Sequence, residues 1–207
     1  EQEFFDAVQD LMPETVADGL IIDFRFNLGG NMFLSNAGLS LLFDRDVPTI
    51  DWATRCDPDD HLGLCELGAF PDFVIPGDPG QYYDRPIAVL VGPGAVSSGD
   101  QVALRMTFHP RARFLGKSTN TAFNSPSVMI EDQTFYAQYA VADAFLLSNP
   151  GEYLTHDPLP VDEAVWLTPD DVAEGRDTVV EAAVRWITGF SDGPRGPADH
   201  TFPPVDE

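Results

Sequence analysis

A serine pair between a glycine-bounded turn and an acidic residue is the part of this sequence best suited to covalent chemistry. Residues 94–100 read Gly-Ala-Val-Ser-Ser-Gly-Asp. They follow an apolar run at 86–91 and precede a helical pattern at 101–108. A serine at a strand-to-helix turn sits among unpaired backbone amides, where its hydroxyl can be presented to a cleft. That is the setting in which a nucleophilic serine and an oxyanion hole are built. Helix capping by Ser97 or Ser98 is the plain alternative, since serine is among the commonest N-cap residues.

A second turn has the complementary property. Residues 27–31 read Asn-Leu-Gly-Gly-Asn and break a strand pattern at 20–24. Glycine permits close backbone approach and positive φ, which a loop donating amides to an oxyanion needs. Parallel neighbours in an α/β sheet bring their carboxyl-end turns to the same edge. Gly29 and Gly30 are therefore expected close to Ser97. An ordinary tight turn is the alternative. A phosphate cradle is disfavoured, because the turn has neither a dinucleotide-type nor a Walker-type glycine pattern and no lysine.

The elements that must position these turns follow from periodicity. A helix is expected over 3–12, ended by Pro13. The strand at 20–24 leads through the diglycine turn to a helix at 32–43. Residues 48–83 are rich in Pro, Gly and Asp and read as an excursion with short strands. A second strand–turn–helix unit spans 86–109. A short strand is expected at 113–116, a polar loop at 117–127, and an alternating strand at 134–141 that suits a hairpin. Thr168 and Pro169 form a helix-start signal, and an amphipathic helix is expected at 177–187. The two strand–turn–helix units give an α/β class with a mixed sheet.

Composition excludes several functions. The 207 residues carry a net charge of −23, and Lys117 is the sole lysine. Such a surface repels nucleic acid and anionic membranes. No apolar run is long enough for membrane insertion. The chain opens Glu-Gln-Glu-Phe-Phe, with neither Met nor a basic leader. A mature, trimmed or truncated product is expected, which leaves export open. Cys56 and Cys65 share one polar loop and are expected to form a disulfide, with two free thiols as the alternative. With the acidic surface, this points to an extracellular or periplasmic location. No Cys–His grouping suits zinc. Asp57, Asp59, Asp60 and His61 match no calcium-loop spacing and read as a solvated acidic loop. No metal and no cofactor is expected.

Residues 19–30 combine an apolar strand with Asp-x-Arg-x-Asn-x-Gly-Gly, and they resemble the corresponding segment of the C-terminal processing (tail-specific) serine peptidases. Residues 86–100 resemble that family's nucleophile segment. Residues 111–119 resemble the segment after it, and 162–183 the closing segment. The resemblance implies a crotonase/ClpP-like α/β fold and a peptide or protein substrate. It implies a partial catalytic domain over 1–190, without the upstream strands or a PDZ domain. The tail over 191–207 is rich in Pro, Gly and Asp and is expected to be disordered. The resemblance places the nucleophile on Ser97 and the oxyanion donors on the amide of Ser98 with Gly29 or Gly30. Asp100 falls on the family's acidic position after the nucleophile.

The general base departs from the family pattern. The tail-specific lysine falls on Ala122 here, its supporting acid falls on Phe108, and Lys117 falls on a glutamate position. A serine–lysine dyad is not expected, and Lys117 reads as a paired surface lysine. The tricorn-core branch follows its nucleophile with x-Gly-Asp, as Ser97-Ser98-Gly99-Asp100 does. That branch takes a histidine base from upstream, whereas no histidine precedes His61 here. The base is expected from an upstream segment of the same protein or from a second chain. His156 and His109 are weaker candidates for a basic or orienting role. The expected function is a serine-type peptidase acting through Ser97. The alternatives are a carboxylesterase using the same serine and a catalytically silent peptide-binding module.

Overall fold

The computed structural model describes residues 2–11, 17–48, 50–55, 58–60, 64–66, 74–122, 126–131, 136–140, 143–146 and 157–189. In chain order the elements are α1 (Gln2–Leu11), β1 (Leu20–Asp23), α2 (Met32–Ser40), β2 (Val47–Pro48), β3 (Ile50–Arg55), β4 (Leu64–Glu66), β5 (Val74–Ile75) and β6 (Ile87–Val91). There follow α3 (Ser98–Met106), β7 (Ala112–Gly116), β8 (Pro126–Glu131), β9 (Tyr136–Ala140), β10 (Asp143–Leu146), β11 (Glu163–Ala164), α4 (Pro169–Ala173) and α5 (Thr178–Thr188).

The central sheet has the order β1-β6-β7-β11, and its neighbours are all parallel. Strand β6 is buried along its whole length. Ile87, Val89 and Val91 enter the core shared with α2 and α3, while Ala88 and Leu90 enter the core against α5. A strand covered on both faces needs apolar residues at consecutive positions, so its sequence is a continuous run. The register pairs Asp23 with Leu90, and the Phe24 amide donates to the Leu90 carbonyl at 2.8 Å. The chain therefore leaves β1 and β6 side by side, at the same sheet edge.

The described residues form three smaller sheets as well: β10-β3-β4, β2-β5 and the antiparallel pair β8-β9. The pairing of β8 with β9 agrees with the hairpin expected around 134–141, although β8 takes the end of the expected polar loop. Strand β10, unmarked in the sequence, pairs with β3. Helix α3 starts three residues before the expected 101, because the serine pair itself opens it. Helix α2 stops at Ser40, where the Leu42 and Phe43 amides turn back to the Leu39 and Ser40 carbonyls. Helix α4 carries the expected cap, since the Thr168 side chain accepts from the Asp171 amide in a capping box.

Cys56, Asp57, His61, His156 and the tail over 191–207 lie outside the described residues, and so does the expected Cys56–Cys65 pairing. Asp59 and Asp60 are exposed. Among the described residues no acidic or histidine cluster suits a metal, and no helix is long and apolar enough to cross a membrane.

One buried cation ties the sheet edge to α5. Arg25, just past β1, is buried. Its Nε and Nη2 donate to the Asp23 carboxylate, and its Nη1 and Nη2 donate to Asp177 at 3.0 and 2.7 Å. Asp177 also accepts the Val179 and Val180 amides and so caps α5. The Arg25 bonds are the main cause holding the Asp177 carboxyl below its usual range, and the Asp23 bond leads those raising the guanidinium. Replacing Arg25 by Ala leaves two facing carboxylates without their cation. Both are part-exposed, so the expected loss is about 2 kcal/mol, below that of a fully buried pair. Arg25→Lys should recover less than half, since an ammonium cannot fork to two carboxylates. Urea denaturation midpoints of the three proteins read this directly.

Candidate active site

The loop after β1 and the turn after β6 are stitched to each other by backbone bonds. The Val96 amide donates to the Asn27 carbonyl at 3.0 Å. The Asn27 side-chain oxygen accepts the Gly29 amide at 2.9 Å, which curls the diglycine turn. Gly29 and Gly30 have φ of +88° and +142°. A Cβ on Gly29 would lie 2.8 Å from the Ser97 Cβ and 2.9 Å from the Ser98 nitrogen. A Cβ on Gly99 would lie 2.1 Å from the Asn27 carbonyl oxygen. Both glycines are thus required by close approach of the two loops. The Ser98 hydroxyl closes the contact by donating to the Gly30 carbonyl at 2.5 Å.

Ser97 has φ 56° and ψ −124°, a conformation that L-residues rarely adopt. Although it occupies the N-cap position of α3, its side chain makes no capping bond. Capping normally uses an extended backbone, which aims the hydroxyl at the first-turn amides. The positive φ of Ser97 departs from that geometry, so the capping alternative does not hold for this residue. Ser97 is part-exposed, whereas Ser98 is buried. The amides of Gly30 and Ser98 have no acceptor among the described residues. The amide of Gly29 is taken by Asn27.

A buried carboxylate supports the turn from behind. Asp100 is 0% exposed. It accepts the Thr121 amide at 2.8 Å and the Ala122 amide at 3.1 Å. Burial pushes its carboxyl up, and hydrogen bonds pull it back. Ala122 in turn accepts the Ser97 amide at 3.0 Å. The strap over 117–122 therefore lies against Ser97, with Thr121 held at φ 58°. Ala122 thus supplies a main-chain carbonyl to the serine turn and no side-chain base.

The remaining candidates lie elsewhere. Lys117 stacks its Nζ 5.2 Å from the Trp166 ring centroid, as a paired surface lysine would. His109 is not brought to Ser97. Helix α3, nine residues and roughly 13 Å long, separates them, with His109 in the turn beyond its far end. The His109 Nδ1 accepts the Arg111 amide at 3.1 Å, and its ring meets Phe43 edge-on at 5.5 Å. It is a core histidine, so the expected basic or orienting role at Ser97 is corrected. His156 lies outside the described residues. Sequence reasoning gave no role to Asn27, Thr121 or Arg105. Asn27 sat inside the quoted motif and was the one of these with a readable signal. Arg105 is buried against α2, with Nη1 3.3 Å from the Ser35 hydroxyl, and burial lowers its pKa to about 10.

The two glycines should respond differently to substitution. Gly29→Ala meets Ser97 and the backbone at once and should cost about 2 kcal/mol or more. Gly30→Ala, with nothing within 4 Å, carries only its backbone strain, about 1 kcal/mol. Thermal denaturation of both variants separates them. His109 makes a pH prediction. Burial pulls its pKa from 6.5 down to about 4. Between those values the unfolded imidazole takes a proton that the folded one refuses. Its contribution is complete above pH 6.5 and is lost as pH falls to 4, by about 3 kcal/mol. In His109→Gln that part of the slope should vanish from urea midpoints measured between pH 7 and 4.5.

Comparison with known proteins identifies the fold. Among curated proteins no match is found. A peptidase candidate from Parabacteroides merdae ATCC 43184 superposes with a TM-score of 0.70 at 20% identity, covering 87% of this chain and 55% of that one. Mature CPAF gives a TM-score of 0.70 at 16% identity, covering 94% and 48%. The photosystem II D1 C-terminal processing protease gives 0.56 at 19%, covering 80% and 40%. This chain spans about half the length of the first two structures. The likeness shows a shared fold, and the expected crotonase/ClpP-like α/β class holds. The model of Peptidase family S41 matches residues 1–149, and the chain belongs to that family.

Proposed function

We propose that this chain carries the acyl-transfer site of a serine peptidase of the C-terminal processing/tricorn-like type, with Ser97 as nucleophile. One observation carries the reading. A strained, part-exposed serine faces a glycine that has no room for a side chain, between two loops that each carry an amide with no acceptor among the described residues. Membership of family S41 supports a peptide or protein substrate. The likeness to a C-terminal processing protease favours the processing subtype.

The Ser97 Oγ attacks the scissile carbonyl carbon as its proton passes to a base. The carbonyl oxygen gains the negative charge and is held by the Ser98 and Gly30 amides. Gly30 is preferred to Gly29 because Asn27 already takes the Gly29 amide. Each such donor typically contributes about 3 kcal/mol in the transition state. The protonated base then delivers its proton to the leaving amine, and water hydrolyses the acyl-enzyme. Asp100 positions the turn through the 117–122 strap and touches neither substrate nor proton. We place the base outside the described residues, on a histidine from a further segment of the protein, on a second chain or on His156.

A fluorophosphonate probe followed by peptide mass mapping tests the proposal. Labelling of the full-length protein on Ser97, abolished in Ser97→Ala, is the expected result. No labelling of the full-length protein, with any second chain that assembles on it present, would turn the site into a silent peptide-binding groove. Labelling together with cleavage of p-nitrophenyl esters but of no peptide would favour the carboxylesterase.

A further inference from the structure

Two large apolar side chains stand out on the loop that faces Ser97. Phe26 is 68% exposed and Leu28 is 76% exposed. Their neighbours Phe24 and Arg25 are buried. The exposure is held in place. Asn27, between them, is bonded through its amide to Phe24, through its carbonyl to Val96 and through its side chain to Gly29. Leu28 is therefore bracketed by a residue bonded to the serine turn and a residue in contact with Ser97. The Phe26 ring reaches the other side of that turn. Its Cδ1 lies 3.1 Å from where a Gly94 Cβ would stand, and its centroid is 5.9 Å from the Arg25 guanidinium.

Apolar surface kept rigid and wet gives up the free energy of burial unless something covers it. Position identifies the cover. A polypeptide whose carbonyl carbon lies at Ser97 must run across the residues next to Gly29 and Gly94. We infer that Leu28 and Phe26 form a preformed ledge for large apolar side chains of the substrate on either side of the scissile bond. This rests on the peptidase reading above and adds a substrate class to it. Charge narrows the class further. Asp23 and Asp177 share the single guanidinium of Arg25 beside Phe26, and their side chains are 43% and 37% exposed. One negative charge is left over at the ledge, on a chain of net charge −23. A cationic residue next to the apolar pair is attracted, and an acidic one is repelled.

Peptide binding reads the ledge without depending on the chemistry. Fluorescein-labelled octapeptides with central Leu-Phe-Lys, Ala-Ala-Lys or Leu-Phe-Glu are titrated by anisotropy against the Ser97→Ala chain. Leu-Phe-Lys should bind roughly tenfold or more tighter than Ala-Ala-Lys, and tighter than Leu-Phe-Glu by an amount that shrinks with added salt. Adding Phe26→Ser and Leu28→Ser should bring the Leu-Phe to Ala-Ala ratio toward one. Phe26→Leu with Leu28→Met should keep most of it. Equal binding of all three peptides, or a ratio unchanged in the serine variant, overturns the ledge. The same result is expected if another part of the protein covers it. Fluorophosphonate labelling of the wild type without peptide discrimination defeats the ledge alone. Discrimination without labelling supports the ledge and defeats the hydrolase.

Discussion

The buried carboxylate of Asp100 is the constraint on which the serine turn depends. It lies in the first turn of α3, where the helix dipole and free amides favour negative charge. It receives two amides from the 117–122 strap, and the strap returns the Ala122 carbonyl to the Ser97 amide. Ser97 is thereby fixed from three sides. Its own amide is bonded to Ala122, the preceding amide to Asn27, and the following hydroxyl to Gly30. A backbone conformation such as φ 56° costs about 1–3 kcal/mol and persists only when its surroundings over-determine it. Charge-assisted hydrogen bonds contribute about 1.5–3 kcal/mol each. The two at Asp100 act against the strain at Ser97 and Thr121 and against the burial that pushes the carboxyl up.

The parallel sheet supplies the other half of the geometry. Because β1 and β6 are adjacent and parallel, both chains emerge at one edge, and the loops must pass within van der Waals contact. Contact at that distance leaves no room for a Cβ at Gly29 or Gly99. Arg25 fixes how far the first loop can swing, since its two carboxylates come from β1 and from the cap of α5. The helix on the far face of the sheet thus restrains the loop that faces Ser97. Sheet, clamp and carboxylate act on different segments, and all of them limit the same few backbone torsions.

Features that are local in sequence were legible there. The continuous apolar run of β6 announced a strand buried on both faces. Thr168 and Pro169 announced the start of α4. The diglycine turn and the serine pair announced two loops that parallel strands would bring together. Partners distant in the chain were not legible. Arg25 and Asp177 are separated by 152 residues, and Asp143–Leu146 pairs with β3 across the chain. Neither is encoded by periodicity. His109 read as a possible base because imidazole chemistry is visible in a sequence while burial is not. Its low pKa arises mainly from the loss of solvent around it. Capping failed as an account of Ser97 for a related reason. The residue type predicts a cap, but a torsion set by tertiary contacts departs from the capping geometry.

The two serines have divided the work that either could have done. Ser98 uses its hydroxyl to lock the diglycine loop, and it is buried in doing so. Ser97 is part-exposed, and its hydroxyl makes no capping bond. The strap makes a similar division. Ala122 gives its carbonyl to hold Ser97 and offers no titratable side chain, so the group that fixes this serine is not one that could take its proton. On the peptidase reading, the turn can be fully formed while the site is still idle. Oxyanion donors and nucleophile belong to one continuous sheet edge and assemble as the domain folds. On the same reading, proton transfer waits on a group outside the described residues. The delivery of that group, more than any rearrangement of Ser97, would then set when the enzyme is active.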